Sequence, residues 1–479
     1  MIQSAAVFEE QSRALKSITR ISSERVQRFL ETIRSLDDWD LYRINPIAFS
    51  HSHGFEEKDA VDLFVESAKA GIFDFTWSKI CPFCGGMEHS FDSMNEMQQI
   101  SHCTVCNVDI PEELDSQVEV SFTINPDIKK LELSEFDSFD NYRKTFFSRN
   151  FIPSDALSDY SKRNFRGFIS FLPGEEKEIA LEGKDGELFR LINVALHSAA
   201  LIHFSSDAGE HERIQILDGG FAPEEISVRP GSSVIRVINK RNSPISVSIL
   251  KTEFEELHGI LKEHTSEFHP FLTGKMLLNT QTFRDHFRIQ SLIPDLKLKI
   301  SSLTILFTDL KGSTELYDKT GDVFAYSLIQ EHFRILSDSV RKHSGAIIKT
   351  MGDAIMATFS LASSGMSAAM EMMEKMEEFN KKQELNGYDL GLKIGLHEGS
   401  ALVVNADERL DYFGQTVNIA ARVQNLAGSG EIVMTSPVYE YPGVQRLMAS
   451  GGYRKARRQS VSLKGVGSPT LTYRCSKKM

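Results

Sequence analysis

Residues 302–317 read SLTILFTDLKGSTELY: an apolar run, Leu303–Phe307, leads to the carboxylate of Asp309 and then at once to Gly312-Ser313-Thr314. A short aliphatic run bounded by turn residues predicts a buried strand. Asp309 then falls where that strand leaves the core. Gly312-Ser313-Thr314 can open a helix, whose free N–H groups attract anions, and glycine lets a phosphate approach the backbone closely.

Working outward from this stretch, strands and helices alternate. Residues 322–343 predict a long amphipathic helix, and AIIKTMGDAIMATF (346–359) two strands about a Met-Gly turn. SAAMEMMEKMEEFNKKQ (367–383) predicts a helix whose methionines fill a core or an interface. LGLKIGLHEG (390–399) and ALVV (401–404) predict a further hairpin, and GQTVNIAARVQNLA (414–427) a further helix. The expected architecture is α+β with a largely antiparallel sheet. Asp353 follows the tight turn of its hairpin. Two carboxylates at strand ends beside an anion-binding turn can hold Mg²⁺, a hard cation that takes oxygen ligands. Either aspartate alone also reads as a turn residue or a helix cap.

The chain has 479 residues, 41% hydrophobic and 25% charged, a soluble globular composition long enough for about three domains. No apolar run is long enough to span a membrane. The N-terminus carries no signal-peptide pattern, so the cytoplasm is the expected location. A net charge of −12 argues against nucleic-acid and anionic-membrane partners.

Upstream, residues 1–76 predict helices, with RVQRFLETIRSL (25–36) and EKDAVDLFVESAKAG (57–71) the clearest and Gly71 a stop. Residues 77–115 hold Cys81-x-x-Cys84 and Cys103-x-x-Cys106, the spacing of a four-thiolate zinc ribbon. One structural Zn²⁺ per chain is expected, with His89 and His102 as substitute ligands; redox sensing is the alternative. Residues 81–115 contain no Lys or Arg, against phosphate contact. Residues 116–252 predict a mostly antiparallel β-domain, from the alternation at Val118–Ile124 and the β-branched runs 230–239 and 245–250. SEFDSFDNYRKTFFSRN (134–150) is ambiguous. Residues 253–295 predict a helical linker ending before Pro294. Within it, Met276, Phe283 and Phe287 at near-heptad spacing suggest pairing across a dimer, or packing on the chain's own domain.

Over about 300–476 the sequence resembles the class III adenylate/guanylate cyclases, on three ordered motifs. FTDLKGST (307–314) is similar to the family's first metal motif, KTMGDAIMATF (349–359) to its second, and DYFGQTVNIAARVQ (411–424) to its third. The resemblance implies a ferredoxin-like cyclase domain over 296–479. It implies two Mg²⁺ (or Mn²⁺) per active site, held by Asp309, Asp353 and the Leu310 carbonyl, with Gly312, Ser313 and Thr314 bounding the triphosphate pocket. Asn418 matches the residue that orients the ribose, Arg422 the arginine that stabilises charge on the reacting phosphate, and Lys464 a triphosphate-binding lysine. Lys349 and Asp411 match the base-selecting pair. An ammonium only donates and a carboxylate only accepts, so the pair complements adenine and opposes guanine. The substrate implied is ATP. Gln415 departs from the family's pattern, which commonly has an acid there, and has no assigned role. One complete set of residues implies a two-fold homodimer with two equivalent sites. The segments NPIAFSHSHGF (45–55), CPFCGG (81–86), HCTVC (102–106) and LTGKMLLNTQTFRDHF (272–287) resemble an uncharacterised module that precedes many bacterial cyclase domains. An unknown regulatory ligand or partner is expected there. The alternatives are a guanylate cyclase, a catalytically silent nucleotide-binding scaffold, and a zinc-dependent binding protein with a secondary cyclase domain.

Overall fold

A computed structural model of the chain describes residues 4–91, 102–110, 117–208, 213–287, 298–312, 322–383, 390–406, 409–454 and 456–477. Ser313, Thr314 and Pro294 lie outside the described residues, as does the side chain of His89.

Residues 302–311 of the opening stretch lie in the strand Leu298–Lys311, central in the large C-terminal sheet. Its apolar residues are continuous because both faces are covered. Leu303, Ile305 and Phe307 point to one cluster and Leu306 and Leu310 to another, all nearly inaccessible. The second cluster is closed by the helices Asp322–Lys342 and Ala362–Gln383. Met372 and Met376 of the latter are core, as expected, and so is Met366 just before that stretch. Strands Gly345–Met351 and Ala354–Phe359 form the predicted hairpin, and Gly352 adopts the left-handed backbone (φ 63°) its turn demands. The helix at Gln415–Asn425 also stands where it was expected.

The hairpin expected at 390–404 is instead one strand, Gly391–Ala406. Gly399 looks like a turn residue, yet it is paired in the ladder with Leu303, and the strand's hairpin partner is Arg409–Phe413. The sheet is antiparallel except where Gly391–Ala406 meets Glu431–Thr435.

In the N-terminal half, helices Ala5–Ile18, Ser23–Ser35, Pro46–His53 and Glu57–Lys69 pack on a three-stranded sheet. Val118–Ile124, expected to open the β-domain, pairs along its length with Phe73–Ile80 and belongs to this sheet. The ambiguous 134–150 segment contains the helix Phe139–Phe146, capped by Ser138. The β-domain proper is two facing sheets, of five and four strands, built from Phe165 to Thr252 around a shared apolar core. It is antiparallel but for two parallel pairs.

The linker is not one helix. Phe254–Glu263, Gly274–Leu278 and Gln281–His286 are separate, with a short strand between the first two. Phe283 is 1% exposed, edge-on to Phe75 and Trp77 and stacked on Phe287. That burial favours the second of the two readings: Phe283 packs on its own chain, in one cluster with Phe75 and Trp77.

Candidate active site

Asp309 is near the end of its strand, opposite Lys393 of Gly391–Ala406, whose Nζ donates to Asp309 Oδ2 at 2.7 Å. Pairing of Phe307 with Met356 runs the antiparallel ladder on so that Asp309 approaches the turn carrying Asp353. Thr308 Oγ1, accepting from the Ile355 amide at 3.0 Å, fixes the same join. Beneath it, His332 is fully buried, and its Nε2 meets the Asp353 carbonyl at 3.2 Å. Burial pushes the His332 pKa down to about 4, so it is neutral at pH 7 and donates to that carbonyl. The donors the resemblance implies here, the Asp309 and Asp353 carboxylates and the Leu310 carbonyl, are all oxygens, which suit Mg²⁺ or Mn²⁺ rather than a softer metal. An ammonium already held by Asp309 fits that preference for a cation. Gly312, φ 92°, follows with open space around its Cα.

Lys349 and Asp411 come together across the sheet: Lys349 Nζ donates to Asp411 Oδ2 at 2.6 Å, and the Tyr412 amide donates to Asp411 Oδ1 at 2.7 Å. The β-ladder slips between Ile347 and Lys349, leaving Ile348 as the extra residue of a bulge that re-aims Lys349. Asn418 is exposed on the helix Gln415–Asn425, and Arg422, one turn on, is half-buried. That helix can lie close because Gly395 has no side chain: a Cβ there would be 2.2 Å from the Gln424 nitrogen. The loop bearing the exposed Lys464 runs beside Arg422, whose Nη1 would be 3.6 Å from a Cβ on Gly465. Leu463 anchors the loop in a small cluster with Val423 and Val433.

Thus the chain joins Lys349 to Asp411 directly, and sets Asn418 and Arg422 on one helix with Arg422 beside the Lys464 loop. Sequence reasoning missed Lys393 and His332. Lys393 in the apolar stretch GLKIGL was the available signal; His332 had none.

The second candidate centre is the cysteine cluster. Cys81, Cys84, Cys103 and Cys106 are buried, with their sulfurs all within 4.8 Å of one another. The Cys84–Cys103 sulfur distance is 3.7 Å, against about 3.8 Å between ligands of a tetrahedron with Zn–S bonds of about 2.3 Å. Gly85, φ 70°, turns the first pair under Phe151, where a Cβ would be 2.5 Å away. His102 bonds to Asp109 and Asn107 and leaves the set to the four thiols. Both ring nitrogens are engaged, and the Asp109 carboxylate raises its pKa.

Comparison with known proteins agrees with this division. Residues 8–285, more than half of the chain, match a family of unknown function, DUF5939, and residues 297–476 match the adenylate and guanylate cyclase catalytic domain. Adenylate cyclase 1 of Rhizobium meliloti (strain 1021) is 30% identical over 136 residues, covering 26% of this chain and 20% of the relative. Adenylate cyclase of Anabaena cylindrica is 27% identical over 135 residues (26% and 27%), and guanylate cyclase 2G of Mus musculus 26% over 180 residues (35% and 16%). The chain therefore spans about a quarter or less of these relatives' lengths. Among solved structures, the adenylyl cyclase CyaB from P. aeruginosa is 24% identical, covering 38% of this chain and 97% of that one, with a TM-score of 0.33. Across its first 285 residues the chain belongs to the DUF5939 family of unknown function, and its C-terminal part is a class III adenylate and guanylate cyclase catalytic domain.

Proposed function

We propose that the chain is an adenylate cyclase, converting ATP to 3′,5′-cyclic AMP and pyrophosphate at sites shared between two copies, under control of its N-terminal half. The observation that carries the choice of ATP is the Lys349–Asp411 pair at 2.6 Å. One strong donor and one strong acceptor, held side by side and partly exposed, match the amine and ring nitrogen of adenine and mismatch guanine. A site built on such polar contacts discriminates strongly, up to about 10⁴-fold. The names of the bacterial relatives favour the same reading.

In this reading Lys349 and Asp411 hold the base, Asn418 orients the ribose and Lys464 holds the triphosphate, with Gly312, Ser313 and Thr314 along its edge. Arg422 keeps a permanent positive charge against the α-phosphate as the ribose 3′-oxygen attacks it and pyrophosphate leaves. Asp309, Asp353 and the Leu310 carbonyl would hold two Mg²⁺ or Mn²⁺ ions, whose chemistry would be to lower the pKa of the attacking hydroxyl and neutralise the leaving phosphates. Lys393, which donates to Asp309, would supply positive charge beside the same carboxylate. The four cysteines hold one structural Zn²⁺ per chain, and no step passes through it.

The test is cyclic AMP formation from ATP with Mg²⁺ or Mn²⁺, measured for the chain and for Asp309→Ala and Asp353→Ala. The expected result is activity in the parent and no more than a few per cent of it in either variant. A folded parent that turns over no nucleotide would make the chain a binding scaffold, and preferential GTP use would make it a guanylate cyclase.

A further inference from the structure

The helix Gln281–His286, at the end of the N-terminal half, touches both strands that carry the base-reading pair. Gln281 Oε1 accepts from the Ile347 amide at 2.7 Å, at the bulge that aims Lys349. One turn on, Arg284 Nη1 donates to the Leu410 carbonyl at 2.9 Å, next to Asp411, and its guanidinium lies 5.3 Å from the Tyr412 ring centre. Arg284 Nε donates at the same time to the Leu278 carbonyl at 2.7 Å, so this side chain bridges two backbones. Asp285 pairs with Arg341 at 2.8 Å, and Asn279, fully buried, accepts from Thr358 at 2.5 Å. Gln281 and Arg284 are three apart and share a helix face, so one rigid turn spans the two strands.

We infer that Gln281 and Arg284 are positioning residues for nucleotide selection: they set the spacing between Lys349 and Asp411, so the N-terminal half controls which base the site accepts. The inference rests on the reading of that pair as the base contact. A bulge amide and a strand carbonyl left without these partners relax independently, and a donor–acceptor pair reads a base only at fixed spacing. The loss therefore falls on ATP, whose recognition needs both groups in place, and much less on GTP, which the pair opposes.

The experiment measures kcat/KM for ATP and for GTP on the full chain, in Arg284→Ala, Arg284→Lys and Gln281→Leu. Lysine keeps the charge but reaches one carbonyl at a time, and it serves if the alanine variant does not fold. The ATP:GTP ratio should fall by about tenfold in each, and Arg284→Ala should lower it no further in an Asp411→Ala background, because residues acting through one another are not additive. Phe171→Leu, in the separate core of the β-domain, controls for destabilisation and should leave the ratio unchanged. Equal losses for both nucleotides, with the ratio preserved, would reduce the two residues to structural ones and overturn the inference. If Asp411→Ala itself leaves the ratio unmoved, the base-contact reading fails and the inference falls with it.

Discussion

Two inactive variants should restore each other if each site is shared between two chains. Within one chain Lys349 meets Asp411, and Arg422 adjoins the Lys464 loop, while Asp309 and Asp353 are joined separately through the central ladder. Asp353→Ala removes the carboxylate half of a site and Arg422→Ala the phosphate half, so either homodimer should be nearly inactive. In a mixed dimer, two-fold symmetry places both lesions in one site and leaves the other whole. Equal co-expression makes about half the dimers mixed, each with one working site of two, which gives roughly a quarter of wild-type activity. Isolating the heterodimer through two different affinity tags raises the expectation to about half per dimer, by the same symmetry. The assay is cyclic AMP output per dimer of confirmed mass. Purified heterodimer at background would mean that every site lies within one chain.

Exchanging the base contacts, Lys349→Glu with Asp411→Cys, should lower ATP use and raise GTP use relative to it; an unchanged ratio would remove these side chains from base reading. Metal analysis should find about one zinc per chain, lost in Cys81→Ser plus Cys84→Ser with a lower melting temperature of the N-terminal half. Metal-free protein of unaltered stability would refute that site. Buried His332 refuses, down to about pH 4, a proton that the unfolded chain accepts near pH 6.5, so stability should fall as pH drops between those values. The loss attributable to it is about 3 kcal/mol, and a melting temperature flat from pH 7 to 5 would contradict its neutral burial.

Local pattern made most of the C-terminal half legible. Leu303–Phe307 is apolar throughout because the strand is covered on both faces, and the Met351-Gly352 turn carries its own backbone signal. What depended on register was hidden. Lys393 becomes the partner of Asp309 only through a ladder between strands more than eighty residues apart, and Gly399 reads as a turn until Leu303 is placed opposite it. The same limit applies upstream. The period of Val118–Ile124 shows a strand but not its partner, because Phe73–Ile80 lies beyond the cysteine pairs. Spacing alone placed the four thiols together, since each Cys-x-x-Cys turn is local. Spacing left a choice that only the structure makes: Phe283 and Phe287 sit at coiled-coil intervals and serve an aromatic cluster with Phe75 and Trp77.

Contact between the halves is unequal, and that inequality bears on how a signal reaches the nucleotide. The N-terminal helices, Phe283 and one face of the catalytic sheet share a single apolar cluster, from Phe8 through Leu277 to Ile305 and Tyr412. The four cysteines form a separate cluster. They are tied mainly to the β-domain and its flank, through Thr104 to His197, Arg190 to Thr104 and His258 to the Cys106 carbonyl. On the inference above, a shift of the N-terminal helices would reach Asn279, Gln281 and Arg284 first, and Lys349 and Asp411 through them. The cysteines join the N-terminal half through the strand Phe73–Ile80, which leads into Cys81 and enters the shared cluster at Phe73 and Trp77, and through Ser148, which bonds to both Gly85 and Glu119. Packed cores transmit such shifts because they deform little. Adjacency becomes control only where an element has two arrangements that both sites bias. The short helix Gln281–His286 is where the inference above would place such an element, since Gln281 and Arg284 bond to the strands of Lys349 and Asp411 while Phe283 is buried in the N-terminal core.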